Sequence, residues 1–167
     1  MQDKTALLVI DVQNGFINEH TEHLPALIEK EQTKYSRVWV GKLEYTDDSP
    51  LLTIREYEGF SKSGELAEIA FKSRDDARVV TKKGYSAATP ELIEELKQHN
   101  ITKVDLMGVD TDQCVLATAF GLLEASIRPR IIIDRCASAA GAQAHQAGID
   151  VLTRALGEQN VLYSEDR

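Results

Sequence analysis

The sequence predicts an α/β fold with a mostly parallel sheet and helices on both of its faces. Short apolar runs alternate along the chain with longer segments whose apolar residues recur at helical spacing. Residues 6–10 (A-L-L-V-I) are apolar at every position, which is typical of a parallel strand covered by helices on both sides. The chain of 167 residues can bury a substantial core, so we expect a single domain over residues 1–167.

The order of strands and helices follows from this alternation. The predicted strands are residues 6–10, 37–41, 78–81, 104–107, 130–134 and 159–163. The predicted helices are residues 23–34, a short one at 63–71, one that is capped by Thr89 and begins with Pro90, one that begins near Cys114, and residues 143–156. Residues 42–59 are acidic and irregular, with residues 51–54 as a short edge strand or a packed loop. We interpret residues 42–59 as an excursion over the carboxyl edge of the sheet that either forms part of a substrate pocket or is a solvated acidic loop.

Composition restricts the partners and the compartment. A net charge of −8 and a pI near 5.0 argue against nucleic acid or an anionic membrane as the main partner. The two cysteines do not form a disulfide framework and fit a reducing, cytoplasmic environment. The first residues contain only a short apolar run and carry Asp3, which is unlike a signal peptide. No apolar stretch approaches the length of a membrane span. A small-molecule substrate is therefore the expected partner.

Cys114 occupies a position suited to nucleophilic chemistry. It follows the predicted strand 104–107, and helical spacing begins at Val115, so the thiol lies in the first turn of a helix, where Thr111 and Asp112 offer capping oxygens. Unpaired N–H groups and the helix dipole there are expected to lower the thiol pKa below its free value of about 8.5. The same N–H groups can bind an oxyanion. The alternative is that Cys114 is a small buried apolar residue, as most free cysteines are.

Two further chemical groups follow other predicted strands. Asp11 comes directly after strand 6–10, and Lys82 and Lys83 follow strand 78–81. Because the carboxyl ends of parallel strands lie on one edge, the carboxylate, one ammonium and the thiol of Cys114 can converge there. Together they suit acyl transfer, in which the carboxylate moves the proton and the ammonium favours the thiolate. Taken separately, Asp11 could be a cap and the lysines a solvated pair.

Nucleotide-binding motifs are absent from the sequence. No G-x-G-x-x-G follows the first predicted strand, and no G-x-x-x-x-G-K-[ST] occurs. We expect no cofactor. A phosphate-handling domain with Asp11 as phosphoacceptor is disfavoured, because such domains place a second acidic residue beside or two after the first, where this chain has Val12 and Gln13.

Four segments of the chain resemble the isochorismatase-like cysteine hydrolases, a family that includes nicotinamidases and N-carbamoyl amidases. They are A-L-L-V-I-D-V-Q-N-G-F (6–16), T-K-K-G-Y-S-A (81–87), G-V-D-T-D-Q-C-V (108–115) and I-I-D-R-C-A-S (132–138). The resemblance implies a three-layer Rossmann-like fold with a parallel sheet of about six strands. It also implies a homo-oligomer.

The resemblance implies specific roles for several residues. It selects Lys82 over Lys83, because the family lysine lies three residues before the motif tyrosine, here Tyr85. The implied catalytic triad is Asp11, Lys82 and Cys114. A cis peptide is implied between Val109 and Asp110, with the backbone N–H groups of Asp110 and Cys114 as the oxyanion hole. The expected reaction cleaves an amide or similar C–N bond through a Cys114 thioester. Phe16, Tyr85 and Val109 are the candidate residues of the substrate pocket.

The sequence departs from the family at several positions. The nicotinamidase branch binds a metal through an Asp-x-His pair and a further histidine, but no D-x-H occurs here, so we expect no metal and no nicotinamide substrate. The family phenylalanine after Y-S-A is Ala88, and the acidic residue before the first-loop phenylalanine is Gly15. The departure at Ala88 and the irregular segment 42–59 leave an alternative, in which the protein is a catalytically idle relative that binds a ligand or partner on the same scaffold.

Overall fold

The computed structural model describes residues 4–61 and 64–167 and contains one parallel sheet. The six strands are β1 (Thr5–Ile10), β2 (Val38–Leu43), β3 (Arg78–Lys82), β4 (Lys103–Gly108), β5 (Arg128–Cys136) and β6 (Val161–Leu162). Their order across the sheet is β3-β2-β1-β4-β5-β6, and every neighbouring pair is parallel. The predicted α/β class and parallel sheet are confirmed.

The centre of the sheet is β1, which pairs with β2 on one side and β4 on the other. All of its residues are buried. Alternate residues belong to different cores, because successive side chains of a strand point to opposite faces. Ala6, Leu8 and Ile10 join one apolar cluster, whereas Leu7 and Val9 join the other. Burial on both faces explains why this strand is an uninterrupted apolar run in the sequence.

Helices cover both faces of the sheet. They are α1 (Leu24–Glu31), α2 (Pro50–Thr53), α3 (Pro90–Gln98), α4 (Leu116–Glu124) and α5 (Ala142–Leu156). Apolar residues of α3, α4 and α5 pack into the cluster of Leu8 and Ile10, and those of α1 pack into the opposite cluster. Thr89 caps α3 as predicted, since its Oγ1 accepts the N–H of Leu92 at 3.3 Å.

Two segments differ from the sequence-based expectation. Residues 51–54, expected as an edge strand or packed loop, fall largely within the short helix α2. The predicted helix at 63–71 is wrong: its described part contains only a 3₁₀ turn, Glu65–Ala67, and residue 63 lies outside the described residues. The reason is tertiary, because the backbone of residues 68–70 pairs with the loop after β1 instead. The Asn14 N–H donates to Glu68 O at 2.9 Å, and the Ala70 N–H donates to Val12 O at 2.9 Å.

The strand order reverses between β1 and β4: β2 and β3 follow β1 on one side, whereas β4, β5 and β6 follow on the other. In open α/β sheets, the crevice at the carboxyl ends of the strands beside such a reversal is the usual place for a ligand. Asp11 follows β1 and Cys114 follows β4 at this point. No helix among the described residues is long and apolar enough to span a membrane.

Candidate active site

Three predicted residues meet at the carboxyl edge of the sheet. The Lys82 Nζ lies 2.7 Å from Asp11 Oδ2 and 3.5 Å from Cys114 Sγ. It also donates to the Gly84 carbonyl at 2.8 Å. Relative exposures are 0% for Asp11, 2% for Lys82 and 5% for Cys114. A carboxylate, an ammonium and a thiol are therefore in contact in a nearly dry environment.

The strand positions explain why the cation is a lysine. Lys82 ends the edge strand β3, whereas Asp11 follows the central strand β1, and β2 lies between them. A long side chain is needed to carry the ammonium past β2. Lys83, one residue later, instead lies at the surface, where its Nζ is 2.8 Å from Asp48 Oδ2. The structure therefore brings Lys82, and not Lys83, to the carboxylate and the thiol.

Gln13 links the loops around Asp11, a role that was not predicted from the sequence. It is fully buried, and its side chain accepts the Leu43 N–H at 2.8 Å. Its Nε2 donates to the carbonyls of Leu43 and Ala67, each at 2.8 Å. The Asp11 N–H donates to Gly41 O at 3.1 Å. These bonds fix the end of β1 relative to β2, and with it the position of the Asp11 carboxylate.

Cys114 lies in a tight turn that precedes α4. Gly108 ends β4 at φ 124°, and a Cβ there would lie 2.1 Å from the Ile10 carbonyl oxygen, so only glycine fits. The Val109–Asp110 peptide bond is cis. Residues Thr111–Val115 form a π-helical turn, in which the Val115 N–H donates to Asp110 O at 3.1 Å.

Neither Thr111 nor Asp112 caps this turn through its side chain, contrary to the prediction. Asp110 is the N-cap residue, and no side-chain cap bond forms among the described residues. The Thr111 hydroxyl instead pairs with His145 Nδ1 of α5 at 2.7 Å. Gly148 of α5 allows this contact, because a Cβ there would lie 2.7 Å from the Asp112 backbone nitrogen. The turn Thr111–Val115, which contains Cys114, is thus packed against α5.

The expected fall in the thiol pKa is wrong for the free protein. Burial raises the pKa of Cys114 well above its usual range, and the Asp11 carboxylate raises it further, whereas Lys82 opposes both. Burial also raises the pKa of Asp11, against the effect of Lys82. Burial alone would lower the pKa of Lys82, but the neighbouring Asp11 carboxylate raises the pKa above its usual value. The resting state that follows is a neutral thiol beside an ion pair, with Asp11 placed to accept the thiol proton.

A cavity of about 200 Å³ opens onto Cys114. Its walls are formed by Gly15, Phe16, Leu43, Leu51, Arg55, Tyr57, Tyr85, Asp110, Gln113, Cys114 and Ala139. A cavity of this size suits a small molecule. Phe16 and Tyr85, two of the candidate pocket residues, line this cavity, and residues 42–59 contribute Leu43, Leu51, Arg55 and Tyr57.

Val109 is not part of the cavity wall. Its side chain is fully buried in the apolar cluster that contains Val9 and Met107. The expectation that it contacts substrate is therefore corrected, because its side chain fills the core beneath the sheet edge. Sequence reasoning did not single out Arg55, Tyr57 and Gln113, which also line the cavity. Arg55 and Tyr57 come from a segment without a recognisable motif, whereas Gln113 lies within the motif of residues 108–115.

The family departures at Gly15 and Ala88 are both packed against other groups. A Cβ at Gly15 would lie 2.6 Å from the Phe60 ring, which stacks on Phe16 with 4.5 Å between ring centroids. A Cβ at Gly121 would lie 2.7 Å from the Cβ of Ala88. A larger residue at position 88 would therefore collide with α4. At both positions the small residue makes room for a neighbour.

Asp110 lines the cavity and has both a backbone N–H and a carboxyl group to consider. Its N–H donates to no acceptor among the described residues, and its Oδ1 accepts the Ala139 N–H at 2.7 Å. Burial raises the pKa of Asp110 to about 6, and the Asp112 and Asp11 carboxylates act in the same direction. The residue is thus a free backbone donor and an oriented carboxyl group at one wall.

The residues of the cavity do not suit a metal ion. The wall contains the carboxylate of Asp110 and no histidine. Among residues 4–61 and 64–167, no group of three or more His, Cys, Asp or Glu side chains is arranged to hold a metal. The donor set needed for a bound metal is therefore not provided by these residues.

Solved structures share this fold over nearly the whole chain. An isochorismatase-like hydrolase from Alkaliphilus metalliredigens superposes with a TM-score of 0.83 and 21% identity, covering 97% of this chain and 96% of that one. The nicotinamidase PncA from Bacillus subtilis gives 0.80 and 20%, covering 96% and 99%. The N-carbamoylsarcosine amidase from Thermoplasma acidophilum gives 0.79 and 26%, covering 96% of each chain. The parallel sheet and its helices thus define a class of α/β fold that these three proteins share with this chain.

The sequence itself places the chain within that class. The model of the isochorismatase domain family matches residues 5–160. Isochorismatase domain-containing protein 2 of Xenopus laevis is 34% identical over 65 residues, which are 38% of this chain and 32% of that protein. The match therefore spans about a third of the length of this curated relative. The chain belongs to the isochorismatase-like hydrolase family.

Proposed function

We propose that the protein is a cysteine hydrolase that cleaves an amide or carbamoyl C–N bond of a small molecule through a Cys114 thioester. The observation that carries this proposal is the buried contact of Asp11, Lys82 and Cys114 on the wall of a small cavity. These groups supply a proton acceptor, a cation and a nucleophile within reach of one another. The resemblance of the motifs to cysteine hydrolases adds independent support.

The first half-reaction forms the thioester. Asp11 takes the proton of the Cys114 thiol as the sulfur attacks the carbonyl carbon, and the new C–S bond places a negative charge on the carbonyl oxygen. The Asp110 and Cys114 N–H groups bind that oxygen, and one such donor is worth about 10²–10³ in rate. Collapse breaks the C–N bond, and the protonated Asp11 gives its proton to the departing nitrogen.

The second half-reaction releases the acid. A water molecule gives its proton to Asp11 as its oxygen attacks the thioester carbonyl. The C–S bond then breaks, and the sulfur recovers the proton from Asp11. The Lys82 ammonium lies 2.7 Å from the carboxylate and 3.5 Å from the sulfur in the structure. It stabilises whichever of the two carries the negative charge, which opposes the effect of burial on the thiolate.

The test is a screen of small amides, carbamoyl compounds and ureides for ammonia release. The wild type is compared with Cys114→Ala and with Cys136→Ala as a matched control, since Cys136 is also a buried free thiol. We expect activity in the wild type and in Cys136→Ala, and none in Cys114→Ala. Wild-type rates in Cys114→Ala would remove Cys114 from the mechanism. A wild type that is inactive on every class would favour the idle scaffold.

A further inference from the structure

The side chain of Asp110 has no part in the mechanism above, although it lines the same cavity as Cys114. Its orientation is fixed, because the Ala139 N–H donates to Oδ1 at 2.7 Å and the Gln113 and Val115 N–H groups donate to its carbonyl at 3.0 and 3.1 Å. No hydrogen bond to Oδ2 forms among the described residues. One carboxyl oxygen is therefore held and the other remains available at the cavity wall.

The Asp110 carboxylate also lacks a counter-ion. None of the described basic side chains forms an ion pair with it, whereas the Asp11 carboxylate is paired with Lys82. Burial raises the pKa of Asp110 to about 6, so the group is mostly ionised near neutral pH. Partly buried carboxylates are normally satisfied by a cation or by hydrogen-bond donors. The missing donor can be supplied by whatever occupies the cavity.

The other polar groups of the cavity do not compensate for Asp110. The Arg55 guanidinium lies 5.9 Å from the centre of the Tyr57 ring and forms no ion pair with a described residue. Arg55 is also exposed, so its charge is screened by solvent. Asp110 is thus the strongest hydrogen-bond acceptor that the cavity wall offers next to the nucleophile.

We propose that the carboxylate of Asp110 selects substrates that carry an N–H donor next to the scissile carbonyl, either a neutral ureido nitrogen or a cationic amino group. The inference rests on the proposed function, which defines the carbonyl group that Cys114 attacks. Its geometric basis is that one residue of the cavity wall carries both the backbone N–H proposed for the oxyanion hole and a carboxylate with one unpaired oxygen. When the Asp110 N–H binds the carbonyl oxygen of a ligand, a donor a few bonds away on that ligand can reach the Asp110 carboxylate.

The experiment measures binding, so that it does not depend on turnover. Four ligands are titrated by calorimetry near neutral pH into Cys114→Ala. They form two pairs in which one nitrogen replaces a carbon: propylurea with pentanamide, and glycinamide with propanamide. We expect the nitrogen member of at least one pair to bind about 10- to 100-fold more tightly, the range for a hydrogen bond to a charged group. The pair that shows the difference identifies a neutral or a cationic donor.

Two double variants identify the source of the preference. In Cys114→Ala with Asp110→Asn, the amide can still accept the Ala139 N–H but presents a donor to the cavity, so the preference should fall below about 2-fold. Cys114→Ala with Asp112→Asn removes a carboxylate that does not line the cavity, and it should keep the preference. Circular dichroism checks that each variant is folded.

Equal binding within both pairs, no binding of any ligand, or a preference that survives Asp110→Asn would overturn the proposal. Because Cys114 is absent throughout, none of these results bears on the hydrolysis mechanism. Conversely, a wild type that hydrolyses nothing would reject the proposed function, but the binding preference could still be measured by calorimetry in Cys114→Ala.

Discussion

Lys82 and Lys83 are adjacent in sequence and form ion pairs of nearly equal length in very different surroundings. The Lys82 pair with Asp11 has an N–O distance of 2.7 Å and side-chain exposures of 1% and 0%. The Lys83 pair with Asp48 has a distance of 2.8 Å and exposures of 51% and 73%. Replacing each lysine by methionine keeps the length of the side chain and removes the charge. The two variants therefore compare the same chemical change in a buried and an exposed pair.

We expect Lys82→Met to be strongly destabilised and Lys83→Met to match the wild type. Loss of Lys82 leaves a buried carboxylate without a partner, which costs about 3–5 kcal/mol. The exposed pair is screened by solvent and should contribute nothing measurable. The assay is urea unfolding at several pH values, followed by circular dichroism. Lys82→Met should also lose hydrolysis, whereas Lys83→Met should keep it.

The pH dependence identifies the cause. Without Lys82, the pKa of Asp11 in the folded protein rises further above its unfolded value. Such a carboxyl group favours the folded state while it is protonated, so the stability deficit should be smallest in acid and grow as pH rises. Adding Asp11→Asn to Lys82→Met should restore most of the stability but no activity. Equal stability of the two lysine variants, or a deficit that does not vary with pH, would refute this reasoning.

Three further predictions concern the cavity and the turn behind it. Gly148→Ala should destabilise the protein by about 1–3 kcal/mol in thermal or urea unfolding, although alanine normally favours a helix interior, because the new Cβ would lie 2.7 Å from the Asp112 nitrogen; a stabilised variant would contradict the packing described. Iodoacetamide, followed by mass spectrometry, should modify Cys114 before Cys136, because the Lys82 Nζ lies 3.5 Å from the Cys114 sulfur and can stabilise its thiolate, whereas the Cys136 thiol donates to the Leu106 carbonyl at 3.6 Å; equal labelling would argue against an activated nucleophile at Cys114. In Cys114→Ala, the preference for N–H-bearing ligands should decline as pH falls through about 6, where Asp110 becomes protonated, and titrations across this range would detect a preference that stays constant.

The fold could be predicted because its signals are local. An apolar run such as that of β1 is visible in the sequence since each of its residues is buried. The cap of α3 is visible in Thr89 and Pro90. Parallel strands place their carboxyl ends on one edge, so the sequence predicted that Asp11, Cys114 and one of the two lysines could converge, and the family resemblance selected Lys82. Their catalytic roles remain a proposal.

Properties that depend on packing between distant segments could not be predicted. The pKa of Cys114 rises because other elements exclude water from it, which a helix-terminus argument does not consider. Residues 68–70 look helical but pair with the loop after β1. Arg55 and Tyr57 line the cavity from a stretch without periodicity, so nothing in the sequence distinguished them from a solvated loop.

The stretch between β2 and β3 has a consequence for how this protein could diversify. It supplies Leu51, Arg55 and Tyr57 to the cavity, whereas Asp11, Lys82 and Cys114 are attached to the ends of strands β1, β3 and β4. Insertions or exchanges in that connection would reshape what the protein accepts without disturbing its reactive centre. Grafting the corresponding connection from a relative is thus a direct way to change which ligands enter the cavity while Asp11, Lys82 and Cys114 keep their positions.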